Sequence, residues 1–223
     1  MIRPDGKARK GSQKWIQKLA NQDHDFLNEM LKEAMNLSQG DDIHWLSPRE
    51  TENFAEYHDK AFLEKLGLSF LSSDLTEFWP KGGPHWDGIA RTDSGKVLLV
   101  EAKSHIRELI SSLKATNPDS KRQIQESLNW TKRELGSKND FDWSKTYYQY
   151  ANRLAHAQFL RGKEVSAYFV SVYFLNDSEM KGPSTIDEWK KALYVLHTRL
   201  GLTEDILSNF VVELFIDVNH LEK

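Results

Sequence analysis

Asp87, Glu101 and Lys103 are the residues whose types and spacing could do chemistry. Pro84-His85-Trp86-Asp87 is followed, past a turn, by the apolar run Val97-Leu98-Leu99-Val100, which ends in Glu101-Ala102-Lys103. Buried strands seldom carry charges unless these are paired or bind a metal. Strand side chains alternate faces, so Glu101 and Lys103 share one. Asp93-Ser94-Gly95 reads as a three-residue hairpin loop with Gly95 in the left-handed position. Thr92 then faces Lys96, paired residue numbers sum to 188, and Asp87 sits opposite Glu101 with His85 opposite Lys103. Facing side chains in such a pair lie roughly 5 Å apart at Cβ. Two carboxylates that close repel unless one is protonated or a cation lies between them. Two acids and a lysine so placed suit metal-assisted cleavage of a phosphodiester. A two-residue loop would turn Asp87 to the wrong face, so the chemistry depends on the turn.

The elements that must position these residues follow from periodicity and punctuation. Residues 1–11, with Pro4, Gly6 and Gly11 among basic residues, predict an irregular start. Ser12 reads as the expected cap of a short helix carrying Trp15, Ile16 and Leu19, and a second helix is expected over 23–37. Ser47-Pro48-Arg49-Glu50 has the N-cap, proline and acidic residue of a helix start, and predicts a helix to Leu66 closed by Gly67. Strands are expected at 75–80, 84–92 and 96–103, with Gly82-Gly83 marking a bend or a close backbone approach. Helices over 119–135 and 144–161 come next, then a β stretch over 165–174. A helix opened by Ser184-Thr185 runs to Leu200, and a final strand covers 211–218. The order predicts an α/β protein with one central mixed sheet.

The chain has 223 residues, which suits one domain with or without an extension. No apolar run reaches the length of about 18 residues that a membrane span needs, and no secretory h-region is visible. Cysteine is absent, which excludes disulfides and thiolate metal sites and fits a cytoplasmic protein. The net charge of −3 gives no global attraction to nucleic acid. Positive charge is local: Arg3, Lys7, Arg9, Lys10, Lys14 and Lys18 with only Asp5 among them, and Lys121, Arg122, Lys132 and Arg133. Each group reads equally as a solvated surface.

With these residues in place, the chain resembles the PD-(D/E)XK nuclease superfamily. The matching residues are Pro84 to Asp87, with His85 and Trp86 between the proline and the acid, then Glu101-Ala102-Lys103 on the next strand. The resemblance implies a restriction-endonuclease-like core (α-β-β-β-α-β), with a mixed sheet flanked by helices, over residues 48–175. N-terminal helices and a C-terminal helix and strand would be additions. Residues 1–46 are then a basic, helical extension packed on a nuclease domain of residues 47–223. It further implies that Asp87, Glu101 and the backbone carbonyl of Ala102 ligate Mg²⁺ or Mn²⁺, which prefer oxygen ligands. Lys103 would orient the attacking water or offset transition-state charge. Glu56, one helix length before Gly67, matches the helix acid that reaches the metal in this superfamily. It reads also as a surface partner of Lys60, with Glu52 the alternative one turn earlier.

Around that centre, His85 could contact phosphate, although a histidine beside Trp86 is commonly structural. Gln149, Arg153 and His156 form a polar stripe on one helix, suited to phosphate or to solvent. Tyr147 to Tyr150 resembles the Gln and Tyr of RecB-like members at a looser spacing. Among the aromatics Trp79, Trp86, Trp130, Trp143, Tyr147 and Tyr148, some could stack bases, though such residues usually build core. The expected nucleic-acid contacts are therefore His85, Gln149, Arg153, Lys121 and Arg122, with DNA preferred over RNA as partner and a homodimer compatible with the sequence. No phosphate-cradling glycine loop, paired-histidine zinc motif or serine-hydrolase elbow occurs. The competing reading is a catalytically inactive module of the same fold that binds nucleic acid or protein; a small-molecule enzyme lacks any cofactor motif.

Overall fold

The computed structural model describes residues 2, 3 and 6–221. Pro4, Asp5 and the side chain of Arg3, parts of the expected irregular basic start, lie outside the described residues. In chain order the elements are β1 (Ile2–Arg3), α1 (Gly11–Asn21), α2 (His24–Ala34), β2 (Ile43–Ser47), β3 (Glu56–Tyr57), α3 (Asp59–Lys65), α4 (Ser72–Phe78), β4 (Gly88–Thr92), β5 (Val97–Lys103), α5 (Pro118–Glu134), α6 (Tyr148–Gly162), β6 (Ala167–Leu175), α7 (Ile186–Leu200), α8 (Glu204–Leu207) and β7 (Val211–Asp217). A mixed five-stranded sheet has the order β2-β4-β5-β6-β7. Its first three strands form an antiparallel meander, and β5, β6 and β7 run parallel. Helices lie on both faces, as an α/β protein requires.

All seven residues of β5 are buried, so the strand lies at the centre of the sheet. Its even-numbered residues Leu98, Val100 and Ala102 pack with Trp15, Ile16 and Leu19 of α1 and with Leu27 and Leu31 of α2. Val97 and Leu99 face the other way, into a core shared with α3, α4, α5, α6 and α7. Each fully buried Val, Leu or Ile side chain contributes about 1.5–3 kcal/mol. The same alternation sends Glu101 and Lys103 toward α6.

The hairpin has the register that the loop predicts. Gly88 pairs with Val100, Ile89 with Leu99, Ala90 with Leu98 and Arg91 with Val97. Gly95 takes φ +85°, which only glycine adopts freely. Asp41 clamps the turn: its carboxylate accepts from the Ser94 N–H at 2.7 Å, the Ser94 hydroxyl at 2.7 Å and Lys96 Nζ at 3.1 Å.

Several expected elements are corrected. No helix spans 48–66. The capping-type sequence at Ser47 instead ends strand β2, whose buried-exposed alternation begins with Ile43 inward and His44 outward. Left-handed Asn53 and Phe54 (φ +53° and +55°) rule out a continuous helix, and helical structure resumes at Asp59. Glu56 consequently sits on a short strand paired with β1, not on a helix. Residues 75–78 of the segment expected as a strand over 75–80 belong to helix α4, because Leu71 and Leu75 bury one side of a turn, and the chain turns extended at Trp79. The first strand of the meander therefore precedes the helices instead of following them. The strand expected from residue 84 joins the ladder at Gly88, with Trp86 bridging to Tyr57. The helix expected from 144 starts at Tyr148. Residue 46 lies inside β2, so the 1–46 segment supplies part of an edge strand as well as the two helices.

Candidate active site

The site lies where β5 ends against α6 and the extended segment 84–87. The Asp59 carboxylate fixes the entry to that segment by accepting from the N–H groups of Gly82 (3.1 Å) and Gly83 (2.9 Å). A Cβ on Gly83 would come within 3.0 Å of Asp59 Oδ1 and 3.2 Å of His156 Nε2, so Gly83 marks a close approach, while Gly82 takes φ +92° with open space around it. Four residues on, Asp87 Oδ2 accepts from the Ala102 N–H at 2.8 Å, which holds Asp87 beside the end of β5.

Glu101 has a cation on each oxygen. Lys103 Nζ contacts Oε1, and Arg153 Nε donates to Oε2 at 2.7 Å. All three are buried. Arg153 also donates to the His85 carbonyl at 2.9 Å and lies over the Trp86 ring, 5.2 Å from its centroid. One guanidinium thus ties α6, β5 and the 84–87 segment together.

The electrostatics follow from this crowding. Burial pushes the Asp87 carboxyl well above the usual range; Glu101 and Glu56 push the same way, against Lys103 and the Ala102 N–H. Burial also opposes the charge on Glu101, but Arg153 and Lys103 outweigh it and hold that carboxyl below its ordinary value. Lys103 is raised: burial disfavours its charge, and Glu101 and Asp87 more than restore it. Two neighbouring acids are therefore driven apart, a pattern that clusters at functional sites.

An open cleft of about 950 Å³ lies over this cluster. Of the residues singled out from sequence, Asp87, Glu56, His85, Gln149 and Arg153 line it. Glu101 and Lys103 lie deeper and border an inner void of about 10 Å³, roughly the room of one water. Gln149 borders both spaces. Lys121 and Arg122 are on the exposed side of α5 and do not line the cleft; Arg122 pairs with Asp119 at 2.7 Å. His156 leaves the expected stripe. It is buried among Phe62, Phe78, Trp79 and Trp86, donates to the Asn152 carbonyl, and burial pushes its pKa down to about 3. Trp79, Trp86, Trp143 and Tyr147 are core, while Tyr148 lines the cleft.

Glu56 accepts from Gln13 Nε2 at 2.8 Å and lies 4.0 Å from His85 Nδ1. The His85 ring stacks on His58 with centroids 4.0 Å apart. These contacts place α1 at the rim of the site, which the sequence did not suggest. The reasoning from sequence also missed Ser111, Ser112, Lys114, Lys145 and Asn152 in the cleft lining. Residues 111–113 pair alongside 144–148, through Ser111 N to Thr146 O at 2.6 Å and Leu113 N to Ser144 O at 2.9 Å. No periodic pattern announces such a pairing between irregular segments. Glu108 is a further omission: its carboxylate accepts from the Ser104 N–H at 3.0 Å, and burial raises its pKa.

The donor set suits a hard divalent cation in kind: two carboxyls and a backbone carbonyl, with an Asp87 that burial and Glu101 push toward its neutral form unless a cation joins it. Among the described residues, no group of three or more His, Cys, Asp or Glu is gathered as a metal cage would need. No described helix is long and apolar enough to cross a membrane. Compared with protein-family models, curated proteins and solved structures, the chain matches none.

Proposed function

We propose that the protein is a metal-dependent nuclease with a restriction-endonuclease-like core, hydrolysing phosphodiester bonds in DNA. The observation that carries this reading is the convergence of Asp87, Glu101 and Lys103 at the base of the cleft, with Asp87 held by the Ala102 N–H. The antiparallel β2-β4-β5 meander followed by a parallel crossover to β6 supports this reading, with α3 and α4 inserted between the first two strands. Asp87, Glu101 and the Ala102 carbonyl would hold Mg²⁺ or Mn²⁺, with Glu56 reaching it through water or orienting one. The bound cation would polarise the phosphodiester and lower the pKa of a bound water. Lys103 would orient the attacking oxygen and offset charge building on the phosphate. His85 and Gln149, both in the cleft lining, would bind the phosphates next to the scissile one.

A second reading, a catalytically inactive module of the same fold that binds nucleic acid or protein, draws on the pairing of Glu101. With Lys103 on one oxygen and Arg153 on the other, the carboxylate is satisfied without a metal. The test is cleavage of labelled single- and double-stranded DNA in Mg²⁺, Mn²⁺ or EDTA, with Asp87→Asn beside wild type. Metal-dependent cutting that Asp87→Asn lowers at least about a hundredfold, a loss of about 2.7 kcal/mol in the transition state, supports the nuclease. Cutting that Asp87→Asn leaves intact removes the assignment, and binding without cutting selects the second reading.

A further inference from the structure

We propose that Arg153 is a built-in counter-ion that occupies Glu101 before a divalent cation does, so that loading the site requires Arg153 to leave Glu101 Oε2. The inference rests on reading Asp87 and Glu101 as the seat of a divalent cation. Asp87 and Glu101 are neighbours at this end of β5, Glu56 acts on Asp87 through its charge, and the cations set against them are Lys103 and Arg153. Lys103 comes from the strand that carries Glu101, two residues on. Arg153 comes from a different element, 52 residues away in sequence, and takes the oxygen that Lys103 leaves. A cation seated between Asp87 and Glu101 would have to share Glu101 with it.

Arg153 is built into its place. Its side chain is 6% exposed, it bonds Glu101 and the His85 carbonyl at once, and Trp86 lies beneath it. A planar guanidinium serves two acceptors at fixed angles, which a lysine ammonium does not reproduce. The same side chain lines the cleft. Released from Glu101, it would keep the His85 carbonyl and turn its remaining N–H groups toward a phosphate in the cleft. Arg153 would then be a positioning residue with two settings: on the acid in the empty site, on the substrate in the loaded one.

The experiment measures Mn²⁺ affinity by calorimetry for wild type, Arg153→Gln and Arg153→Lys. Arg153→Gln is expected to bind Mn²⁺ at least about tenfold tighter, because removing one unit charge beside a divalent ion has that effect even at water-like screening. Arg153→Lys, which keeps the charge, is expected within about threefold of wild type. A parallel measurement needs no variant: the Arg153 Nε–H is expected to be protected from solvent exchange without metal and to lose protection at saturating Mg²⁺. Wild-type binding of Mn²⁺ with no tightening in Arg153→Gln, or an Nε–H that stays protected, overturns the counter-ion role and leaves the nuclease reading standing. Absence of Mn²⁺ binding in all three proteins overturns both.

Discussion

Asp87 and Glu101 illustrate how two carboxyls beside the same lysine acquire opposite characters. Glu101 has a cation on each oxygen and stays charged; Asp87 has a backbone N–H and is crowded by the charge next door. Removing either acid should therefore act in opposite directions on stability. Asp87→Asn keeps an acceptor for the Ala102 N–H and removes the repulsion, so the metal-free protein should melt roughly 2–4 °C higher. Its sign with pH also follows. A carboxyl raised in the folded state favours folding when protonated, and that advantage is lost as pH rises through its folded pKa. Wild type should thus lose stability as pH rises above the ordinary carboxylate range and Asp87→Asn should lose less, as thermal melts across that rise would show. Glu101→Gln leaves Lys103 and Arg153 buried without their anion and should cost about 3–5 kcal/mol in urea denaturation. For that reason Asp87→Asn is the cleaner test of catalysis, and loss of activity in Glu101→Gln means little unless folding is checked beside it.

At the scale of elements, the β4–β5 hairpin decides whether the acids meet. Its register depends on a three-residue turn with Gly95 left-handed and Asp41 across it. Gly95→Ala should cost about 1 kcal/mol, the strain of a Cβ at positive φ, seen as a lower urea midpoint at unchanged slope. This hairpin was legible because a turn of known length fixes register by counting, and period-two burial then assigns the faces. Helices α5 and α7 were legible from local punctuation, the break at Asn117-Pro118-Asp119 and the capping-type run from Ser184 to Asp187. In the structure Asn117 caps the first through the N–H groups of Asp119 and Ser120, and the box of the second is one residue on, Thr185 with Glu188. The stretch from Pro48 to Trp79 was not. A capping-type tetrapeptide is a local signal, and at Ser47 it was overridden by Ile43 and Trp45 packing beneath the sheet. The left-handed backbone at Asn53 and Phe54 has no glycine to announce it. Arg153 was visible as a polar residue on a helix face, but its partner comes from a distant strand, and no spacing in the sequence connects them.

Across the whole molecule, the titration of buried groups on different elements sets an expected pH profile. Burial pushes His156 down to about 3 and His197 down to about 4, so both must charge when the chain unfolds below about pH 6.5. Their contribution is lost as pH falls. Burial raises Glu213 on β7 to about 7, against a weaker opposing pull from Lys190, and raises Asp87 too. The contribution of these two is lost as pH rises. Between about pH 4.5 and 6.5 the opposing slopes largely cancel. The melting temperature should form a plateau there, fall in acid, and fall more gently above it. Scanning calorimetry from pH 4 to 9 checks this, and Glu213→Gln should flatten the alkaline limb. The N-terminal helices belong to the same unit. The Trp15 indole donates to the buried Asp177 carboxylate at 2.8 Å, and Gln13 reaches Glu56 at the rim of the cleft.

The strand order also dictates a sequence of events during synthesis. The hairpin that presents Glu101 and Lys103 is local and can close once the chain to residue 103 has left the ribosome. The β5 edge that faces β6 must then wait for residues 167–175, which are made much later. Until then an apolar strand is exposed along one side, and Glu101 lacks its second cation, which arrives with residue 153. A nascent chain stalled between those points displays a sticky edge beside an unbalanced acid. That interval is where a holding chaperone would bind and where truncated products would aggregate.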